Sequence, residues 1–328
     1  MNKRAIPGTS IEASVICLGT SAYGGTLPKE EAFELLDLFT ELGGSFLDTA
    51  NVYEDWLGKG KSTSERTLGE WLRLRGCRDR MIVATKGGHP DLQTMSVSRL
   101  SKEAIVHDLE QSLGHLQTDY IDLYWLHRDD PSIPAGEILE TLNEQLAAGK
   151  IRAFGCSNWT VDRIEEARQY AEQRGLKSFA ASQPLWNLAV LNEGIIADPT
   201  VAIMDERSLA YYKEHGMAVV PFSSQANGFF GGRYFRGQVI QMGGSAHIVK
   251  AHYFNEASFD RLDRAKQLAS ELGTTASRIA LAYLTSQPFP VFPIAGANKR
   301  EYMLDSCAAG TLTLTKEQLL FLTGGSPM

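Results

Sequence analysis

The segment GGSFLDTANVY, residues 43–53, runs from two glycines into a short apolar stretch and reaches the ionisable Asp48, with Tyr53 five positions later. An apolar run of this length is typical of a buried strand. A carboxylate at its end needs a charged or hydrogen-bonding partner, because burying an unpaired charge is costly. The segment therefore predicts a strand whose carboxyl end carries an Asp with a partner elsewhere in the chain.

Runs of the same kind recur along the chain and alternate with amphipathic segments that are typical of helices. The eight predicted strands are 15–19, 45–50, 80–86, 121–127, 151–157, 179–184, 218–223 and 291–297. The predicted helices between and after them are 30–42, 63–75, 101–116, 136–149, 161–174, 205–215, 257–272 and 299–308. Eight strands, each followed by a helix, predict an α/β protein with a closed parallel (β/α)8 TIM barrel.

Other segments fall outside this repeat. Residues 3–13 predict an N-terminal hairpin, and 275–288 and 315–323 predict additional helices. The Gly-rich stretch 224–255, after the seventh strand, is long enough to predict a functional loop. The barrel is expected to form a single domain, 1–328. An open doubly wound sheet is the alternative, but it requires GxGxxG after its first strand, and CLGTSAYGGT does not supply it.

Composition excludes several function classes. The formal charge of −7 argues against a nucleic-acid partner, because such proteins present a basic face. The four cysteines form no CxxC pair and follow no leader sequence, which predicts a reduced, cytoplasmic protein. No window approaches the roughly 20 apolar residues of a membrane span. The histidines show neither HExxH nor HxH spacing, so no metal site is predicted.

Polar residues stand at the ends of three predicted strands, and these ends meet at one face of a (β/α)8 barrel. They are Asp48, Lys86 and His127, and Tyr53 lies on the loop beyond the second strand. A nearby ammonium lowers the pKa of a phenol, and a carboxylate keeps a buried lysine charged. Lys86 is thus expected to tune Tyr53, with Asp48 as its counter-ion and His127 orienting a carbonyl oxygen. The set predicts a general-acid site for reducing C=O.

The motifs FLDTANVY, VATKGG, YIDLYWLH, IRAFGCSN, ASQPLWN and VFPIAGANKREYMLDS occur in the order and spacing of a known family. On these residues the chain resembles the aldo-keto reductase superfamily along nearly its whole length, in the longer branch that holds bacterial members and potassium-channel β subunits. The resemblance implies that Asp48, Tyr53, Lys86 and His127 form the catalytic tetrad. It also implies a nicotinamide dinucleotide at the barrel mouth, without a Rossmann fold.

The resemblance further implies a ring of cofactor contacts, in which Ser157, Asn158 and Gln183 hold the carboxamide and Trp186 stacks on the nicotinamide. The full set is Thr20, Ser21, Asp48, Ser157, Asn158, Gln183, Trp186, Phe222, Ser223, Ser224, Gln225, Gly228, Gly232, Arg233, Gly296, Asn298, Lys299, Arg300, Tyr302, Asp305 and Ser306. The sequence departs from the family at 224–226 and at Tyr302, Asp305 and Ser306. The adjacent cations Lys299 and Arg300 favour NADP(H), with NAD(H) as the alternative.

The expected function is an NAD(P)(H)-dependent oxidoreductase that interconverts a small-molecule carbonyl (aldehyde, ketone or sugar) and its alcohol, with Tyr53 as general acid and base. A cofactor-binding regulatory module similar to the channel β subunits is the alternative, and a barrel hydrolase would need metal ligands or paired carboxylates. Five residues are expected to line the substrate pocket, which suits polyhydroxylated or aromatic ligands: Tyr23, Trp56, His89, Trp125 and Arg128. The physiological substrate, the direction of reaction and the oligomeric state stay open.

Overall fold

In the computed structural model, which describes residues 1–58, 60–240 and 244–325, the chain forms a parallel barrel closed below by a hairpin. The hairpin strands are β1 (Lys3–Ala5) and β2 (Glu12–Ser14). The barrel strands are β3 (Cys17–Gly19), β4 (Phe46–Asp48), β5 (Ile82–Gly87), β6 (Ile121–Leu126), β7 (Ile151–Ser157), β8 (Ala181–Gln183), β9 (Ala218–Val219) and β10 (Ile294–Gly296). The predicted hairpin and all eight predicted strands are thus confirmed.

The barrel strands pair in parallel in the order β10-β3-β4-β5-β6-β7-β8-β9. Backbone hydrogen bonds between the β9 and β10 segments complete the circle: Val219 N donates to Pro290 O, Phe292 N to Val219 O and Ile294 N to Pro221 O. The expected (β/α)8 architecture is therefore present. Its consequence is that the carboxyl ends of all eight strands open onto one face.

Ten of the eleven helices in the described residues agree with the predicted ones to within a few residues, and the exception is Gly244–Tyr253. They are α1 (Lys29–Glu41), α2 (Thr63–Arg75), α3 (Lys102–Leu116), α4 (Ala135–Ala147), α5 (Val161–Arg174), α6 (Glu206–His215), α7 (Gly244–Tyr253), α8 (Glu256–Glu271), α9 (Ala276–Thr285), α10 (Arg300–Ala308) and α11 (Lys316–Thr323). Side-chain caps fix several starts, as at Ser101, where Oγ accepts a hydrogen bond from Ala104 N. Left-handed glycines end others, as at Gly175 after α5.

The stretch 224–255, expected to be one long functional loop, is only partly irregular. It contains α7, and residues 241–243 of the predicted loop lie outside the described residues. Its first part, 224–240, has no helix longer than one 3₁₀ turn at Ala226–Gly228.

Two layers of apolar side chains hold the barrel together. One fills its interior and includes Phe46, Trp125 and Phe292, and Ile6 and Ile11 of the hairpin close it from below. The larger layer lies between strands and helices. Gly155 lies beside Trp125 in the β6–β7 register, and a Cβ there would lie 2.4 Å from the indole, so glycine makes room for the ring. Among the described residues, none of the helices has the length and apolarity that a bilayer span requires.

Candidate active site

The strand ends bring the predicted catalytic residues together. Asp48 is the last residue of β4, Lys86 lies one residue before the end of β5, and His127 directly follows β6. Tyr53 is on the turn after β4, where its backbone N donates to Ala50 O. The structure thus confirms the expected convergence at the carboxyl face of the barrel.

Lys86 is the centre of this cluster. Its Nζ lies 2.5 Å from Asp48 Oδ2, 2.8 Å from the Thr49 carbonyl oxygen and 3.0 Å from the Tyr53 hydroxyl. Lys86 and Asp48 are each only 1% exposed. The second carboxylate oxygen of Asp48 accepts from Gln183 Nε2 at 3.1 Å. All three ammonium hydrogens therefore have an acceptor, and the buried ion pair is fully hydrogen-bonded.

Burial and charge act against each other at these groups. Burial lowers the pKa of Lys86, but Asp48 and Tyr53 outweigh it, so its pKa lies above the ordinary value and the ammonium is retained. For Tyr53, burial raises the pKa, and Lys86 lowers it by less than burial raises it. The expectation of a net lowered phenol pKa is wrong for the protein without ligand, because desolvation of the phenolate exceeds the attraction of the ammonium.

His127 faces Tyr53 as a neutral ring. The two ring centroids are 6.0 Å apart in an edge-to-face arrangement. Burial lowers the pKa of His127 well below its usual range, and Lys86 adds to this effect. Its Nδ1 is buried and has no hydrogen-bond partner among the described residues. A neutral imidazole protonated on Nε2 can donate one hydrogen bond to a carbonyl oxygen without adding charge.

Glu54 anchors the turn that carries Tyr53, a role the sequence reasoning missed. It is 2% exposed, has a φ of 71°, and its carboxylate accepts from the backbone N of Thr26. A Cβ on Gly25 would lie 1.9 Å from Glu54 Oε2, so glycine at this position permits the approach of the carboxylate. The signal in the sequence is a glycine soon after the first barrel strand, whose partner only the fold identifies.

A cleft of about 630 Å³ extends from Asp48 and Tyr53 across the barrel mouth to α10. Most of the expected cofactor residues line it, namely Ser21, Asp48, Phe222, Ser223, Ser224, Gln225, Gly228, Arg233, Gly296, Asn298, Tyr302, Asp305 and Ser306. It is also lined by Ala22, Asn227, Gly231 and Ser277, which the sequence reasoning did not single out. Its length and polar wall suit an extended ligand with several polar groups.

Some cleft residues already have internal partners. Gln225 donates from Nε2 to Ser306 Oγ at 2.9 Å and accepts from Gly296 N at 3.0 Å, which ties the loop after β9 to β10 and α10. The Asp305 carboxylate accepts from Arg278 Nε at 2.7 Å and also contacts Thr275. Gln225 and Asp305 therefore shape the cleft wall through these bonds.

The remaining expected cofactor residues do not line this cleft. They are Thr20, Ser157, Asn158, Gln183, Trp186, Gly232, Lys299 and Arg300. Thr20 is fully buried and bonds to the Asp48 carbonyl and to Ser64. Asn158, in a left-handed conformation, donates to the His127 carbonyl and accepts from Ala202 N. The side chains of Thr20 and Asn158 therefore hold the strand ends in position, because buried polar groups form hydrogen bonds with the nearest partners.

Trp186, expected to stack on a nicotinamide ring, does not line the cleft. Trp186 is 2% exposed and stacks on Phe289, with centroids 6.1 Å apart and planes at 15°. It also contacts Tyr283 of α9 edge to face, so it belongs to the outer core. Of the two aromatic residues Trp186 and Phe222 near strand ends, Phe222 is the one that lines the cleft.

The five expected substrate-pocket residues lie in different surroundings. Tyr23 lines the cleft and donates to the Ala297 carbonyl, and Trp56 is 53% exposed with its ring edge-to-face to Tyr53. Arg128 pairs with Asp198 at 3.2 Å, which ties the β6 end to the 190–203 segment. Trp125 does not lie where it was expected: it is fully buried among the apolar side chains inside the barrel and does not line the cleft.

His89 lines a second cavity, of about 650 Å³, which we call the side cavity. Its walls come from the turn after β4, the segment after β5, and α3, and they include Asn51, Val52, Lys86 and Gly87. The side cavity therefore reaches the catalytic cluster from the side of Lys86. The described residues contain no group of three His, Cys, Asp or Glu side chains that could hold a metal ion.

Comparisons with known proteins show which sequences this chain is similar to. The Aldo/keto reductase family profile matches residues 15–322. The chain is 30% identical to an aryl-alcohol dehydrogenase [NADP(+)] of Phanerodontia chrysosporium, over 99% of this chain and 86% of that protein. It is also 30% identical to norsolorinic acid reductase B of Aspergillus parasiticus, over 95% and 81%.

A solved structure shares the fold. The thermostable aldo-keto reductase Tm1743, solved with the inhibitor epalrestat, superposes with a TM-score of 0.75 at 23% identity, over 99% of this chain and 100% of that one. The expected place in the longer branch with the channel β subunits is a finer assignment, and it stays a prediction.

Proposed function

The chain belongs to the aldo/keto reductase family, and on that basis we propose that it interconverts a small carbonyl compound and its alcohol with NADP(H) as the hydride carrier. The observation that carries the proposal is the position of Lys86 Nζ, 3.0 Å from the Tyr53 hydroxyl at the edge of the cleft. A proton donor, its tuning cation and an open cleft thus meet in one place.

Each member of the cluster has a distinct proposed role. Tyr53 gives its phenolic proton to the carbonyl oxygen during reduction, and takes a proton from the alcohol during oxidation. Lys86 stabilises the resulting phenolate, and Asp48 keeps Lys86 charged. Neutral His127 donates a hydrogen bond to the same oxygen and orients the carbonyl for attack.

The cleft residues fit a dinucleotide. NADPH, when bound, supplies the hydride that reaches the carbonyl carbon. Phe222 lines the same cleft as Tyr53, and its aromatic ring is a candidate to stack on a nicotinamide. Further along, the guanidinium of Arg233 lies near Gly228, where a Cβ would be 3.3 Å from it, so the glycine leaves space between this cation and the cleft. Such a cation beside glycine backbone suits a pyrophosphate.

Preference for the extra phosphate of NADP(H) is assigned to the start of α10. Lys299 and Arg300 are exposed there, beside the cleft residues Asn298 and Tyr302. Lys299 Nζ lies 5.8 Å from the centre of the Tyr302 ring. Cations at a helix N-terminus favour an anion. The name of the aryl-alcohol dehydrogenase relative supports NADP(H) as well.

The experiment that tests the proposal is NADPH oxidation by the purified protein with a panel of aldehydes, ketones and sugars, each also assayed with NADH. Aromatic aldehydes belong in the panel, because relatives at 30% identity are named for aryl alcohols and norsolorinic acid. Turnover of at least one carbonyl with NADPH is expected. Tight cofactor binding without turnover of any compound would instead favour the regulatory-module alternative.

A further inference from the structure

The segment after β5 places a second histidine against the catalytic one. The rings of His89 and His127 have centroids 4.8 Å apart and planes at 63°. His89 lines the side cavity, next to Lys86 and Gly87 of the same strand end. Tyr53, His127 and His89 thus follow one another, since the Tyr53 and His127 rings are also in edge-to-face contact. Nothing in the proposed hydride and proton transfer uses His89.

The hydrogen bonding of His89 fixes which of its nitrogens carries the proton. Its Nδ1 lies 2.7 Å from the carbonyl oxygen of Pro90. A carbonyl oxygen only accepts hydrogen bonds, so Nδ1 must be the donor. Burial lowers the pKa of His89, which favours the neutral ring. A neutral ring protonated on Nδ1 has a bare Nε2, which can only accept.

For its proposed role, His127 needs its proton on the other ring nitrogen, Nε2. To donate to a substrate carbonyl it must carry its proton on Nε2, and its Nδ1 is the atom left buried without a partner among the described residues. The two adjoining rings therefore present one donor and one acceptor. Hydrogen bonds of about 2.9 Å from each ring can reach two oxygens of a single small ligand.

Resting on the proposed function, we infer that His89 is a specificity-determining residue that accepts a hydrogen bond from a hydroxyl group next to the substrate carbonyl. The preferred substrate class is then 2-hydroxy ketones and 2-hydroxy aldehydes, and vicinal diols in the oxidative direction. The carbonyl oxygen receives the hydrogen bonds of Tyr53 and His127, and the neighbouring hydroxyl gives its own to His89 Nε2.

The side cavity supports this substrate class. Besides His89 it is lined by further polar side chains, including Asn51, Gln93 and Thr94. The Asn51 Nδ2 atom is buried and has no hydrogen-bond partner among the described residues. The wall of the side cavity therefore contains an unused hydrogen-bond donor. Additional hydroxyls of a longer ligand would find partners there.

Two substitutions test the acceptor role of His89 Nε2 separately from the hydrogen bond that His89 Nδ1 donates to the Pro90 carbonyl. In His89→Asn the amide nitrogen takes the place of Nδ1, which keeps a donor for Pro90 and removes the acceptor. In His89→Gln the amide oxygen reaches the place of Nε2, which keeps an acceptor and loses the Pro90 bond. His215→Asn, on the outer surface of α6, is the matched control.

The test compares kcat/KM with NADPH for acetoin, butan-2-one and 4-hydroxybutan-2-one, three ketones with the same number of carbons. The wild type is expected to prefer acetoin over both others. The acetoin-to-butanone ratio should fall about tenfold in His89→Asn, in line with the loss of one hydrogen bond, and less in His89→Gln. Each variant is also checked for NADPH affinity by fluorescence titration and for thermal unfolding.

Equal kcat/KM for acetoin and butan-2-one in the wild type would overturn the inference and leave the proposed function intact. So would a His89→Asn variant in which both ketones lose activity by the same factor, because His89 would then act only by packing against His127. If no carbonyl in the wider panel is reduced, the proposed function itself fails, and the inference fails with it.

Discussion

The ammonium of Lys86 lies 3.0 Å from the hydroxyl of Tyr53, yet burial still leaves the pKa of that phenol above its ordinary value. In the protein without ligand, Tyr53 is therefore a protonated donor held beside the charge that would stabilise its phenolate. The cation lowers the cost of proton release at the moment when the carbonyl oxygen accepts a proton.

Tyr53→Phe should lower kcat for carbonyl reduction by roughly 10²–10⁴-fold, the range for loss of a general acid, while NADPH affinity changes little. Steady-state kinetics and fluorescence titration of NADPH measure the two quantities. Tyr170→Phe, which removes a hydroxyl that contacts Glu140 on the helical surface, is the matched control. Full reduction activity in Tyr53→Phe would rule out the proposed proton donor.

Lys86→Met should shift the pH profile of alcohol oxidation to higher pH. Burial raises the pKa of Tyr53 and Lys86 lowers it, so removal of the ammonium leaves burial unopposed. The phenolate that acts as base then forms only at higher pH. The measurement is kcat/KM for a secondary alcohol with NADP+ as a function of pH, with the surface variant Lys102→Met as control. An unchanged profile would show that Lys86 does not tune the phenol.

Stability should fall as pH decreases through the range of an ordinary histidine, in part because of His127. Burial, with Lys86 nearby, lowers the pKa of His127 well below its usual value, so the unfolded chain binds a proton there that the folded chain does not. Below about pH 6.5 this difference favours unfolding by up to about 1.4 kcal/mol per pH unit. Above that pH both states are neutral and the effect vanishes.

Denaturant unfolding of wild type and His127→Asn between about pH 5 and 7 measures this contribution. The free energy of unfolding of the variant should depend less steeply on pH than that of the wild type. His215→Asn again serves as the surface control. Parallel curves for wild type and His127→Asn would mean that His127 titrates normally in the folded protein.

Arg236 should slow cofactor release by holding the segment 229–240 against α8. Its guanidinium lies 2.5 Å from Asp260, 3.3 Å from Asp263 and 3.6 Å from Glu256. Exposed pairs of this kind contribute about 0.2–1 kcal/mol each and are screened by salt. Arg236→Ala should raise the NADPH dissociation rate several-fold at low salt and less at high salt.

Stopped-flow displacement of NADPH gives that rate, and Arg207→Ala, which breaks an exposed pair with Asp162, is the control. Limited proteolysis gives a second readout, since cofactor should protect this segment from cleavage. Equal cleavage with and without NADPH, together with an unchanged dissociation rate in Arg236→Ala, would contradict a role of the segment 229–240 in retaining the cofactor.

The double substitution Lys299→Ala with Arg300→Ala should weaken NADPH binding by about 1.5–3 kcal/mol, in line with hydrogen bonds to a charged group, and leave NADH binding nearly unchanged. Calorimetric titration of both cofactors tests this, with Lys316→Ala on α11 as control. Equal weakening for both dinucleotides would show that this pair does not recognise the extra phosphate.

The sequence predicted the barrel because its evidence is local and repeated. Apolar runs of strand length, amphipathic segments and terminal glycines each mark an element within a few residues, and α2 and α5 were predicted with exact bounds. Eight successive strand–helix units then predict a closed (β/α)8 barrel. In such a barrel the strand-end residues Asp48, Lys86 and His127 are neighbours.

The direction of each side chain was not available from the same evidence. Every residue of β6 is buried, since a barrel strand is covered on both faces, so the sequence shows no alternation that would place Trp125 inside rather than at the mouth. Trp186 and Phe222 are both aromatic residues near strand ends, and only the packing of Trp186 on Phe289 shows which of the two faces the cleft.

By itself, then, the sequence determined the strands and helices of the barrel, how they follow one another and which ionisable residues end the strands, because these depend on short-range periodicity and on the parallel topology. Only the tertiary structure decided how strongly burial acts on each group and which partner each polar atom takes. The net pKa of Tyr53, the carboxylate of Asp305 bound by Arg278, and the ring contact of His89 with His127 all depend on contacts between different segments of the chain. Desolvation and hydrogen bonding are set by the whole neighbourhood of an atom, and the chain brings that neighbourhood together only when it folds.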